Sequence, residues 1–140
     1  MNTRVFCTSS FKNHLKDCCV DHPSLSGSID VFIRAHTRRE GPTTIKRDVE
    51  KVKDLRNSVQ MNVMKHRMRT PDAGKGTTYR LIFANNASLL ILIDIYPKNE
   101  QEKVDLDLIN RSMANLPKNC TDLGEPFIEI KYETCKNLVR

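Results

Sequence analysis

Tryptophan is missing from the 140 residues, and glycine and proline are sparse, at 5 and 6. So little of either excludes a collagen-like or low-complexity chain, and no internal repeat is visible. Long apolar runs are missing too: the longest aliphatic stretch, Leu89 to Ile93, falls far short of the roughly 20 residues that a membrane-spanning helix needs. The N-terminus MNTRVFCTSSFKNH has no apolar segment of the kind a secretory leader carries. The expectation is a soluble, cytoplasmic protein with no membrane partner. Cysteine is present in an odd number, 5, with Cys18 and Cys19 adjacent, which suits reduced thiols better than a closed disulfide framework. His14, Cys18, Cys19 and His22 can be drawn as a zinc cluster, but their spacing matches no common site. Core cysteines are the better reading, and neither a metal nor a cofactor is expected. Acid is in deficit, with 17 Asp and Glu against 23 Lys and Arg, a net charge of +6. That balance favours a polyanionic partner without separating RNA from DNA or an acidic protein.

A chain of this length is near the commonest domain size and can bury a substantial core, so one domain over residues 1–140 is expected. Arg4 to Thr8 reads as a first strand. Ser10 is placed to cap a helix in which Phe11, Leu15, Cys18 and Cys19 recur at helical spacing, ending near Pro23. A second helix, from about Leu25 to Arg39, puts Leu25, Ile29, Phe32, Ile33 and His36 on one stripe, and Gly41-Pro42 stops it. Ile45 to Asn57 is highly charged and reads as a short surface helix or an ordered loop. Near the C-terminus, Asp105 can cap a helix with Leu106, Ile109, Met113 and Leu116 inward, ended by Pro117. Residues 117–140 form an extension in which Phe127 to Tyr132 alternate as a strand would. That strand is expected to dock on the domain, whether at a sheet edge, over a groove or against a partner.

Between these lies the stretch with the most chemistry. If Val63 to Arg69 is a strand, Lys65, Arg67 and Arg69 share one face, and Met64, His66 and Met68 share the other. Successive cations then stand about 6.6 Å apart, twice the rise of a strand residue, close enough for two to share a phosphodiester. Pro71, Asp72, Gly74 and Gly76 mark a hairpin connection. Tyr79 to Ala84 is a second strand, Asn85-Asn86 a second turn, and Leu89 to Tyr96 a central strand apolar on both faces until Asp94, giving an antiparallel meander. Arg80 lies inside an apolar strand, where an uncompensated charge costs several kcal/mol. It needs a rim, an acid such as Asp94, or a ligand. Tyr96 and Lys98 leave the central strand at a point from which a phenol and an ammonium can be offered to a groove.

GKGTTYRLIF followed by ILIDIYPKNEQEKVDLDLIN resembles the HigB branch of the RelE superfamily of bacterial toxins. There a Gly-Lys-rich hairpin, an Arg-hydrophobic strand and an Ile-Tyr-x-Lys-Asn-Glu segment succeed one another. The resemblance is good over residues 62–116, weaker over 3–40, and absent over 117–140. It implies an α+β fold of RelE type, with N-terminal helices packed on a mainly antiparallel sheet, followed here by a C-terminal helix and an extra C-terminal strand. It also implies endoribonuclease activity on messenger RNA at the ribosome, and a cognate antitoxin protein as partner. Carried over by position, Lys65 and Arg67 match the cationic strand, Arg80 the strand arginine, Tyr96 with Lys98 the Tyr-x-Lys segment, and Lys75 the hairpin lysine. The chain departs in having Thr77-Thr78-Tyr79 where relatives have small glycines before the arginine.

Such cleavage uses the ribose 2′-hydroxyl as nucleophile, so the protein must orient the nucleotide, stabilise phosphate charge and move two protons. Guanidinium forks suit the second task. Arg80 is the first choice for it and Arg67 the second. Lys65, Lys98 or Tyr96 could act in proton transfer if clustered positive charge depresses a pKa, with Arg69, Lys75, Arg34 and Arg38 as RNA-binding cations. His66 points away by strand parity, and His36 reads as a helix-edge histidine. The alternative is a noncatalytic basic binding protein on the same RelE/ParE-like scaffold that inhibits a host protein, since fold alone does not settle function.

Overall fold

The computed structural model describes residues 3–37, 49–52, 62–71, 78–86, 89–99, 101, 103–114, 127–131, 135 and 138. The elements run β1 (Arg4–Thr8), α1 (Ser9–Asp21), α2 (Leu25–Thr37), β2 (Val49–Lys51), β3 (Asn62–Met68), β4 (Tyr79–Asn85), β5 (Leu89–Pro97), α3 (Leu106–Ala114) and β6 (Phe127–Glu129). They form an α+β structure on one sheet, ordered β2-β3-β4-β5-β1-β6. All neighbours pair antiparallel except β1 with β5, which are parallel. That connection has to cross over the sheet, and α1 and α2 supply the crossover. Among the described residues, no helix is long and apolar enough to cross a membrane.

Two apolar cores flank the sheet. Val5, Cys7, Leu81, Phe83, Leu90, Leu92 and Ile95 pack beneath Phe11 and Leu15 of α1 and Leu25, Ile29, Phe32 and Ile33 of α2. On the other face Phe6, Ile82, Ala84, Leu89, Ile91, Ile93 and Tyr96 pack against Leu108, Ile109 and Met113 of α3. β1 and β4 thus send alternate residues to opposite cores, as a pleated backbone requires, and β5 is buried on both sides.

Helix starts follow cap chemistry, with one correction to the expected cap. Thr8, not Ser10, caps α1: its Oγ1 accepts from Phe11 N at 3.0 Å and its hydroxyl donates to the Ile93 carbonyl at 2.7 Å. One side chain therefore ends β1, starts α1 and ties that start to β5. Asp105 caps α3 as expected, its carboxylate accepting from Leu108 N at 3.0 Å. A second correction concerns the charged segment before the meander. Val49–Lys51 is a strand paired antiparallel to β3, not a helix or loop; a sheet edge can recruit a charged segment through backbone hydrogen bonds alone, which side-chain periodicity does not reveal.

The tail joins the sheet edge. β6 pairs antiparallel with β1, and Ile130 N donates to the Val5 carbonyl at 2.8 Å. Phe127, Ile130 and Cys135 are buried, and the Cys135 amide donates to the buried carboxylate of Asp30 on α2. Burial pushes the Cys135 thiol upward and that of Cys7 to about 12, so both are inert packing groups at neutral pH. Because these contacts bury apolar area, a chain ending at Lys118 is expected to melt at a lower temperature than the full chain; an unchanged midpoint in thermal unfolding would show that the tail adds nothing to the fold.

His36 and His66 flank Phe32 at ring-centroid distances of 5.4 and 5.2 Å, with Phe83 closing the cluster. The Asn85 amide nitrogen lies 2.8 Å from His36 Nε2, which accepts its hydrogen. Burial first, and then the neighbouring His66, hold the His36 pKa below its ordinary value. The unfolded chain therefore takes up this proton more readily than the folded one. Stability is fully present above about pH 6.5, the ordinary histidine value, and falls as the pH drops below it. Thermal melts between pH 7.5 and 5.5 are expected to show that decline, and His36→Phe to reduce it.

Candidate active site

The pairing register decides which cations meet. Arg67 on β3 lies directly opposite Arg80 on β4, and Arg80 directly opposite Tyr96 on β5. Directly opposed side chains have Cβ atoms about 4.5–5.5 Å apart, so two guanidiniums and a phenol form one row across three strands. Lys65 belongs to the adjacent row, opposite Ile82, itself opposite Asp94. Past the strand ends Lys98 N donates to the Thr78 carbonyl at 2.9 Å, and Arg80 Nη1 donates to the Thr78 hydroxyl at 3.3 Å. Lys98 therefore enters the neighbourhood of the row, and Arg69 is exposed just beyond the end of β3.

Tyr96 reaches this row because β5 contains a bulge. Ile82 pairs with Asp94 but Phe83 with Leu92, which leaves Ile93 as an extra residue. The insertion shifts side-chain parity by one, so Ile93 and Tyr96, three apart, both belong to the α3-side core while Ile95 turns to the helix layer.

Exposure divides the set. Arg67 and Lys98 are exposed and Lys65 is half-buried, whereas Arg80 retains 7% of its accessible surface and Tyr96 4%. Tyr96 nonetheless lines a recess of about 240 Å³ together with His14, Asp17, Cys18 and Gln101. A neighbouring recess of about 280 Å³ shares Asp17, Cys18 and Pro97 and continues to His22 and Tyr79, whose ring nitrogen and hydroxyl are hydrogen-bonded. Burial pushes the Tyr96 phenol above its ordinary pKa, Arg80 opposing and Asp94 reinforcing the rise. The phenol is protonated at neutral pH. This answers in the negative, for Tyr96, the expectation that clustered positive charge would depress its pKa.

Other expected residues stand apart. Arg34 is exposed on α2, in the helix layer across the sheet from the row. Lys75 and Arg38 lie outside the described residues. Asp94 does not serve Arg80: its Oδ1 is 2.6 Å from Nδ1 of His14 and accepts from Ile95 N at 2.9 Å. His66, expected to face away, stacks on Phe32 in the helix-side core. Among the described residues, no three His, Cys, Asp or Glu side chains converge in a way that could hold a metal ion. The functional candidates missed by sequence reading are His14 and Asp94 as a pair; the one acid within LLILIDIY was the available signal.

No family model matches the chain, and no curated protein or solved structure matches it. The row must therefore be judged on its own chemistry. Like charges directly opposed on a sheet destabilise by up to about 1 kcal/mol, and an anion bridging them removes the cost. Arg67→Gln is accordingly expected to leave the melting temperature unchanged or slightly raised. If the row is an interface for single-stranded RNA, Arg67→Gln with Arg69→Gln lowers the salt dependence of that binding by about 0.7 for each phosphate no longer neutralised. A filter-binding salt titration with the same slope for wild type and double variant would remove these arginines from the interface.

Proposed function

We propose that this chain is a RelE-like toxin of the HigB type, an endoribonuclease that cuts messenger RNA on the ribosome. It works in the cytoplasm and is held in check by a cognate antitoxin whose acidic or helical segment covers the basic row. The reading is supported above all by one observation: the pairing register sets Arg67, Arg80 and Tyr96 side by side, with Lys65 and Lys98 adjoining. The order of motifs along the chain and the net charge of +6 agree with it.

In this reading the phosphate of the scissile bond lies against the guanidinium row. Arg80 and Arg67 stabilise the charge that builds on the non-bridging oxygens. Lys65 and Lys98 hold flanking phosphates, with Arg69 just beyond the end of β3. Tyr96, protonated at neutral pH, gives its proton to the departing 5′-oxygen. The nucleophile is the substrate's own 2′-hydroxyl, so the products are a cyclic phosphate and a 5′-hydroxyl.

The burial of Arg80 and Tyr96 favours a second reading, in which they are structural and the exposed Arg67, Arg69 and Lys98 form a surface that binds and inhibits a host protein. Regulated expression in bacteria with mapping of RNA 5′ ends separates the two. Growth arrest with new ends inside translated regions is expected, and Arg80→Ala, or the volume-matched Arg80→Met, is expected to reduce cleavage at least about 100-fold. Arrest with intact transcripts would leave only the inhibitor.

A further inference from the structure

Parallel strand β1 stops at Thr8, level with Ile93 by its register with β5. β5 runs on to Pro97, so among the described residues its last ones have a strand neighbour only on the β4 side. The place a longer β1 would occupy is taken by α1 and the recess beside it, lined by His14, Asp17 and Cys18 from the helix and Tyr96 and Pro97 from β5. Tyr96 is therefore common to the row and to the lining of the recess that His14 shares.

His14 is held in a way that packing alone does not require. Its Nδ1 is 2.6 Å from Oδ1 of Asp94; the carboxylate side chain is 2% exposed and the imidazole 47%. Asp94 is fixed in turn by Ile95 N at 2.9 Å, and α1 is fixed to β5 by the Thr8 hydroxyl. A buried carboxylate on Nδ1 selects the tautomer that carries hydrogen there and leaves Nε2 as the basic nitrogen of a half-exposed ring. Burial pushes the Asp94 carboxyl upward, with the His14 contact opposing the rise.

We propose that His14 is the general base of the RNA cleavage, with Asp94 as its positioning residue and the recess as the seat of the ribose. This rests on the nuclease reading given above and supplies the proton acceptor that reading lacks, since Tyr96 is a donor. His14 Nε2 takes the proton of the 2′-hydroxyl as its oxygen bonds to phosphorus. The bond from phosphorus to the 5′-oxygen breaks, and that oxygen takes the Tyr96 proton. No redox change occurs, and proton transfer through solvent returns both groups to their starting states. The titratable groups that pair with the imidazole or share its recess are Asp94 and Tyr96 from β5 and Asp17 and Cys18 from its own helix.

The test is cleavage of ribosome-bound messenger RNA by purified full chain as a function of pH. His14→Gln keeps a donor for Asp94, so the fold is retained, as circular dichroism and thermal melts would verify. It is expected to lower kcat by about 10² to 10⁴-fold with little change in KM, and to remove the limb of the pH profile in which activity rises as the base gives up its proton. Asp94→Asn is expected to lower kcat as well and to displace that limb, because an amide holds the wrong tautomer. Wild-type rate and an unaltered pH profile in folded His14→Gln would overturn the proposal while leaving the nuclease intact. A folded wild type that cuts no RNA would instead overturn the nuclease reading, and the base role with it.

Discussion

β5 is buried from Leu89 to Tyr96, and the fold is arranged around covering it on both faces. An apolar strand of this kind needs a layer above and a layer below. The helix pair α1 and α2 provides one and α3 the other, while β4 and β1 satisfy its two hydrogen-bonding edges. The constraint has a consequence at the strand's end. Asp94 sits where its charge would be costly without a partner, and His14 reaches it only because β1 ends early enough for α1 to lie alongside.

The row Arg67–Arg80–Tyr96 is the counterpart of that arrangement on the adjoining strands. A sheet optimised for stability alone would not set two guanidiniums directly opposite each other, and Arg80 is further confined by burial. Two guanidiniums on adjacent strands offer an anion contacts from both, which fits a site. In the proposed reading the row's graded exposure, from open Arg67 to buried Tyr96, would give a phosphate an accessible entry and a drier interior in which each interaction is stronger. The same gradient keeps the inhibitor reading in view, because only the outer cations meet solvent freely.

Much of the architecture was legible in the residues. The β1 strand, both early helices, the three-stranded meander, the Asp105 cap and a strand beginning at Phe127 all follow from apolar periodicity and cap chemistry. Those signals are local, and local signals survive in any fold that buries the marked face. The edge strand Val49–Lys51 was not legible, because its place depends on backbone pairing with β3 and not on its charged side chains. The cap of α1 was misplaced by two residues, since Ser9, Ser10 and Thr8 are all capable caps and only the end of β1 chooses among them.

For the site, the sequence by itself determined the cast: a cationic strand with Lys65 and Arg67 on one side and His66 on the other, an arginine inside an apolar strand, and a phenol and a lysine at the exit of a central one. Strand parity is a covalent property of the pleated chain, so these assignments needed no partner. Only the tertiary structure decided who meets whom. The bulge at Ile93 turns Tyr96 to the face of Arg80, which simple alternation along β5 would have denied it, and the register places Arg67 opposite the same arginine. The early end of β1 delivers His14 to Asp94, 80 positions away. Register, bulge and strand length are set by pairing between distant segments, and no single segment carries that information.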